Sequence, residues 1–205
     1  MFESCTSLTT PPPSIGTTMV DGDGWGMQCY SMFDGCTALT STPSLPATTL
    51  TEECYEEMFD GCTALTSIPA NLLPATTLAD WCYVNMFKNC TGLSTVPANL
   101  LPVTTLAEGC YQHMFRGCTS LLTAPDLPAT TLALSCYYEM FSGCTKLSSI
   151  NVAFTDWTDT ATTSATLNWV SNVANNGTFT CPAGLDTTTR DASHIPANWT
   201  VVNPQ

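Results

Sequence analysis

Apolar residues return along this chain in a fixed order. The pair Met-Phe occurs at Met1, Met32, Met58, Met86, Met114 and Met140, in steps of 31, 26, 28, 28 and 26 residues. Steps of that size mark a repeat protein, whose units stack to bury one shared core. Within a unit, Cys54, Tyr55, Met58, Phe59 and Cys62 fall at i, i+1, i+4, i+5 and i+8. That spacing predicts one apolar stripe on a short helix ending at the second cysteine. An extended piece follows, such as Leu65-Thr66-Ser67-Ile68, rich in β-formers and closed by Pro69. The return segment, Leu-Pro-Ala-Thr-Thr-Leu, is kept extended by its proline. Its short form, Ser44-Leu45-Pro46, and its long form, Ala70-Asn71-Leu72-Leu73-Pro74, account for spacings of 26 and 28. Leu39, Leu65, Leu93, Leu121 and Leu147 are expected to point inward from the strands.

Two stretches break the pattern. Met19 to Gly26 replaces the usual Leu-x-x-x stretch in the first repeat and is expected to form an exposed loop. Asp21 and Asp23 resemble the start of a calcium loop, but a third acidic ligand is missing and Met32 holds the position that needs a bidentate Glu. A glycine-permitted turn is the better reading. Beyond Ile150 the repeat stops. Thr163 to Asn175 reads as an amphipathic helix with Leu167, Val170 and Val173 on one side. Gly177 to Cys181 and Trp199 to Val202 read as strands. The expected architecture is an α/β repeat solenoid with a short parallel β-sheet over residues 1–150. A small α+β segment, 151–205, is expected to cap it, because a solenoid must shield its last apolar unit. At the other end, Met1 falls in the methionine column, so the chain opens inside a repeat. The apolar surface at Phe2 and Leu8 is expected to be covered by self-association, by an assembly partner or by upstream sequence.

The 12 cysteines follow the repeat. One column is Cys5, Cys36, Cys62, Cys90, Cys118 and Cys144; a second is Cys29, Cys54, Cys82, Cys110 and Cys136; Cys181 stands apart. On a helix, eight residues span about 12 Å, beyond disulfide reach, so these read as small buried hydrophobes. No Cys-x-x-Cys pair occurs, and His113 and His194 lack ligand spacing to cysteine. No metal or other cofactor is expected.

Composition narrows the partners. The chain has 4 Lys+Arg against 17 Asp+Glu, a formal charge of −13. That argues against nucleic acid and anionic membranes as partners. No apolar run is long enough to insert in a bilayer, and no signal peptide is visible. The acidity serves solubility, or it addresses a cationic partner or mimics nucleic-acid charge.

The stretch Met58-Phe59-Asp60-Gly61-Cys62-Thr63-Ala64-Leu65-Thr66-Ser67-Ile68-Pro69 resembles the BspA-like, Treponema-type leucine-rich repeat, whose units carry a similar Phe-x-Gly-Cys-Thr-Ser-Leu-Thr-Ser core. The resemblance covers about residues 1–150. It implies a right-handed leucine-rich-repeat solenoid of the kind seen in surface adhesins of host-associated bacteria and in proteins of their phages. Met stands here where that family usually has Ala, and Pro-Ala-Thr-Thr-Leu replaces its valine-containing return.

Candidate surfaces follow. Thr40, Ser41, Thr66, Ser67, Ser94, Thr95, Thr123, Ser148 and Ser149 are expected to line one strand face, where hydroxyls suit a glycan or a protein backbone. Thr-Thr pairs at 48/49, 76/77, 104/105 and 130/131, with Thr17-Thr18, form a second ladder, though turn threonines most often bond their own backbone. Glu52, Glu53, Glu56, Glu57 and Asp60 crowd one helix as an acidic partner patch. A convex helix face offers no cleft to raise a carboxyl pKa, and neither histidine has a nucleophile or Asp partner in a known motif, so no catalytic residue is expected. The expected function is non-enzymatic cell adhesion: a protein or glycan ligand on a host or bacterial surface is bound by a bacterial surface protein or phage virion protein, at the cell surface, outside the cell or on the virion. The alternatives are an assembly protein docking through its N-terminal repeat, with homo-oligomers possible, and an acidic inhibitor mimicking nucleic acid.

Overall fold

The computed structural model describes residues 2–15, 29–157 and 164–203. Met1, the Thr17-Thr18 pair, the Met19–Gly26 loop with its two aspartates, and Thr163 lie outside the described residues.

The expected short helices are runs of consecutive turns. In the run after Thr51, the N–H groups of Cys54, Glu56, Met58, Asp60 and Cys62 each donate to the carbonyl three residues back, at 3.1–3.4 Å. The intervening N–H groups of Glu53, Tyr55, Glu57, Phe59 and Gly61 donate to Asp80, Cys82, Val84, Met86 and Lys88 of the next repeat, at 2.9–3.2 Å. Donors thus alternate between local turns and the neighbouring repeat, and none of these ten is left unpaired. The same alternation joins Trp81 through Asn89 to Glu108 through Arg116, and Gly109 through Gly117 to Leu134 through Ser142.

Every second turn needs a positive φ at its third residue, as a type II turn does. The positions recur every four residues: Glu53, Glu57 and Gly61; Trp81, Asn85 and Asn89; Gly109, His113 and Gly117; Ser135, Glu139 and Gly143. The last of each trio is Gly or Asn, the residues that tolerate this region best. A four-residue period also buries the observed stripe: Cys54, Tyr55, Met58, Phe59 and Cys62 are each at most 1% exposed.

Stacked repeats place like residues in register. Phe2, Phe33, Phe59, Phe87, Phe115 and Phe141 form one ladder, with centroids 5.5–5.9 Å apart and rings within 8° of parallel. Tyr55, Tyr83, Tyr111 and Tyr137 form a second, at 5.8–6.1 Å. Leu39, Leu65, Leu93, Leu121 and Leu147 are fully buried. All twelve cysteines are free thiols, eleven buried and Cys5 half-buried. They are not inert filler. The thiols of Cys36, Cys62, Cys90, Cys118 and Cys144 lie 3.0–3.2 Å from the carbonyls of Phe2, Phe33, Phe59, Phe87 and Phe115, linking each repeat to the one before it. Burial pushes the Cys54 and Cys62 thiols up to about 12, so they stay protonated and able to donate.

The extended pieces are short. Parallel bridges join Ser14 to Ser44, Thr49 to Thr77, Ser67 to Thr95 and Thr123 to Ser149. Only the last three pieces lengthen into strands: β1 (Ser149–Asn151), β2 (Thr178–Thr180) and β3 (Thr200–Val202), a parallel sheet in that order. In one long return the two extra residues are taken up in the 3-10 turn Ala98–Leu100, which buries Leu100.

The described part of the tail does not contain the expected helix. Residues 164–174 form another turn run. Leu167, Trp169 and Ser171 bond three residues back, and Tyr137, Glu139, Phe141 and Gly143 donate across to Ala165, Leu167, Trp169 and Ser171. Positive φ falls at Asn168 and Asn172. Ala165, Thr166, Trp169 and Val170 are buried and Val173 is half-buried, again at i, i+1, i+4, i+5 and i+8. Leu167, expected on the apolar side, is 40% exposed. Trp169 sits against the ends of both ladders, 6.3 Å from Tyr137 and 6.2 Å from Phe141. Its indole donates to the His194 carbonyl at 2.8 Å.

Candidate ligand face and acidic cleft

Of the strand-face hydroxyl residues, Thr40, Ser41, Thr66, Ser67, Thr95, Thr123 and Ser148 are exposed, while Ser94 and Ser149 are half-buried. They form two neighbouring columns. Thr40 and Ser94 donate their hydroxyls to the Thr9 and Thr66 carbonyls, at 3.0 and 3.3 Å, so these two are spoken for as donors. Leu122, 49% exposed, interrupts the row that Ser94 and Ser148 share. The parallel register Ser149, Thr178, Thr200 carries the column into the tail. Those two threonines were not among the expected face residues; the signal was Thr as the second residue of each expected tail strand. A cleft of about 360 Å³ opens on this face between Thr40, Ser41, Thr42, Ser67, Ile68 and Pro69. Thr42 Oγ1 is buried there with no partner among the described residues.

The Thr-Thr pairs at 48/49, 76/77, 104/105 and 130/131 are exposed. Thr49 bridges Thr77, and the Thr76 N–H donates to the Thr48 carbonyl at 3.3 Å.

The acidic patch divides into bound and unbound carboxylates. Asp60 is 9% exposed; it pairs with Lys88 Nζ at 3.0 Å and accepts from Asn89 Nδ2 at 3.0 Å. Glu57 accepts from Ser31 Oγ and Asn85 Nδ2. These two belong to the structure's own links between repeats. Glu53 and Glu56 instead line a cleft of about 250 Å³ with Trp81, Val84 and Gln112. The surface is therefore not the plain convex face expected of a helix. Burial, then the Glu53 and Glu57 charges, pushes the Glu56 carboxyl up to about 7. Further along, Glu139 takes Arg116 at 3.2 Å and lies 3.6 Å from His113 Nε2. Burial lowers the His113 pKa despite that carboxylate. In the tail, the His194 ring lies 2.8 Å from Asp191.

Among the described residues, no group of three or more His, Cys, Asp or Glu is placed to hold a metal, and no helix is long and apolar enough to cross a membrane. Comparison with known protein families, curated proteins and solved structures finds no match.

Proposed function

We propose that the chain is a non-enzymatic recognition module, a right-handed BspA-like leucine-rich-repeat solenoid closed by its tail. It binds a protein or glycan on a host or bacterial surface as part of a bacterial surface protein or phage virion. The observation that carries this reading is the cleft at Thr40–Pro69. Three of the face hydroxyls meet there, and the buried Thr42 hydroxyl has no partner of its own. The volume lies within the usual range of small-ligand pockets, about 300–1,000 Å³.

The test is a glycan and peptide array probed with the whole chain. Ser67→Tyr, which fills the cleft, is expected to abolish the hits, and Thr105→Tyr, on the other ladder, to preserve them. Hits that survive Ser67→Tyr would remove the cleft from the proposal.

A further inference from the structure

The second cleft has a different chemistry and lies on the turn runs. Its floor and walls come from three successive repeats: Glu53 and Glu56 from one, Trp81 and Val84 from the next, Gln112 from the third. Neither Glu53 nor Glu56 has a side-chain hydrogen bond or ion pair among the described residues, unlike Glu57 and Asp60 beside them. Trp81 is fixed by its own neighbour. Its indole lies across Gly109, where any Cβ would collide with the ring. Gly109 has φ +56, so glycine there supplies both the backbone region and the shelf. On the opposite side, the Ser31 N–H donates to the Glu56 carbonyl at 2.9 Å, which sets Tyr30 beside Glu56 in the adjacent repeat. Tyr30 is 41% exposed; partial burial first, then the charge and hydrogen bond of Glu57 and the weaker charge of Glu56, hold its hydroxyl above its ordinary value. A half-buried carboxylate thus stands between a tyrosine and a bedded tryptophan, with a second carboxylate alongside.

We infer that this cleft takes one cationic side chain, a lysine or arginine offered by a basic segment of a partner protein, held between the Glu53 and Glu56 carboxylates and the Trp81 ring. An aromatic face and a carboxylate attract the same cation from two sides, and partial desolvation strengthens both contacts. The formal charge of −13 draws such a segment in from a distance. Among the described residues, Lys88 is the one cation that acts on Glu56, and only as a secondary influence; its ammonium is committed to Asp60. The groups that titrate around Glu56 are Glu53, Glu57 and Tyr30. An arriving cation therefore drives Glu56 to release a proton near neutral pH, and binding strengthens from pH 6 to pH 8. The inference stands apart from the hydroxyl face, which lies on the strand segments.

Fluorescence anisotropy of dye-labelled peptides, titrated with the whole chain at fixed salt, tests it. Three capped hexapeptides alternate glycine with arginine, lysine or glutamine. Arginine and lysine peptides are expected to bind at least about tenfold more tightly than the glutamine peptide. Glu56→Gln and Trp81→Leu are each expected to lose most of that preference, and Glu56→Gln its pH dependence. Glu52→Gln, which removes the same charge outside the cleft, should change affinity less than about twofold, as a screened surface charge does. Equal losses for Glu52→Gln and Glu56→Gln would mean general charge attraction and overturn the site. So would an unchanged preference in Trp81→Leu, with thermal unfolding used to confirm that each variant is folded. Glycan-array hits lost in Ser67→Tyr while peptide binding persists would separate the two clefts; loss of both preferences in that variant would count against this one.

Discussion

Residues 51–62 and 164–174 share a backbone and almost no sequence. Both alternate local turns with bonds to a neighbouring repeat. Both place positive φ every fourth residue and turn the same five positions inward, though Val173 at the end of the second is only half-buried. The first fills those positions with Cys, Tyr, Met, Phe and Cys; the second uses Ala, Thr, Trp, Val and Val. The identity of the core side chains is therefore replaceable. The four-residue turn period is not, because it sets which N–H groups remain free to reach the next repeat. The exchange of Met for Trp169 has its own consequence. One indole covers the ends of two aromatic ladders that continue in register everywhere before it.

Removing that indole is the largest expected blow. Trp169→Ala should cost about 3–5 kcal/mol, the usual penalty for emptying a large aromatic site, read from denaturant unfolding. A cost below about 1 kcal/mol, the level of a surface change, would show that the tail is not part of the same core.

Within the repeats, Cys90→Ala removes both sulfur volume and the contact to the Phe59 carbonyl. A loss of about 1–3 kcal/mol is expected, and Cys90→Ser should recover part of it if hydrogen bonding matters. Native labelling of buried thiols such as Cys54 and Cys62 should be slow, since burial raises their pKa values.

Asn172, exposed and at φ 58, separates turn run from helix most sharply. In a left-handed position Asn172→Gly is neutral or stabilising, and Asn172→Ala costs about 1 kcal/mol. A helix gives the reverse order, with Ala better by about 1 kcal/mol. Ser135, at φ 52 in the repeats, should follow the same order.

The smallest effect concerns pH. The folded Glu56 carboxyl sits at about 7 against its ordinary 4.5, so the folded state holds this proton more firmly. Its contribution is present below about pH 4.5 and is lost as pH rises through 7. Glu56→Gln is expected to raise the midpoint by about 2–4 °C at pH 8, corresponding to ~1 kcal/mol after solvent screening, and to give no gain at pH 4. An equal shift at both pH values would mean that the carboxylate is not what destabilises the wild-type chain.

The repeat length, the columns and the buried positions were readable because each is a periodic property of the chain. Leu39 through Leu147 and the cysteines of both columns except the half-buried Cys5 are buried where the spacing put them. The Asn four residues after Asn85 and after Asn168 hinted at turns, since asparagine weakens a helix interior. The hydroxyl columns could be read only in part, because Thr178 and Thr200 join them through strand register rather than through sequence similarity.

The sequence by itself determined the period of the repeat and which side chains are buried. Its apolar spacing did not choose between a helix and a turn run, because i, i+1, i+4, i+5, i+8 suits a period of 3.6 as well as one of four. That choice rests on donors such as Tyr55 and Phe59, whose acceptors lie on Cys82 and Met86, 27 residues along the chain. The tertiary structure also sorted the acidic residues. Lys88 reached Asp60 and Ser31 reached Glu57 from neighbouring repeats, while Glu53 and Glu56 met only the ring of Trp81 and the walls of a cleft. Local sequence sets charge and propensity, but a partner from another repeat decides whether a charge is neutralised or left to bind.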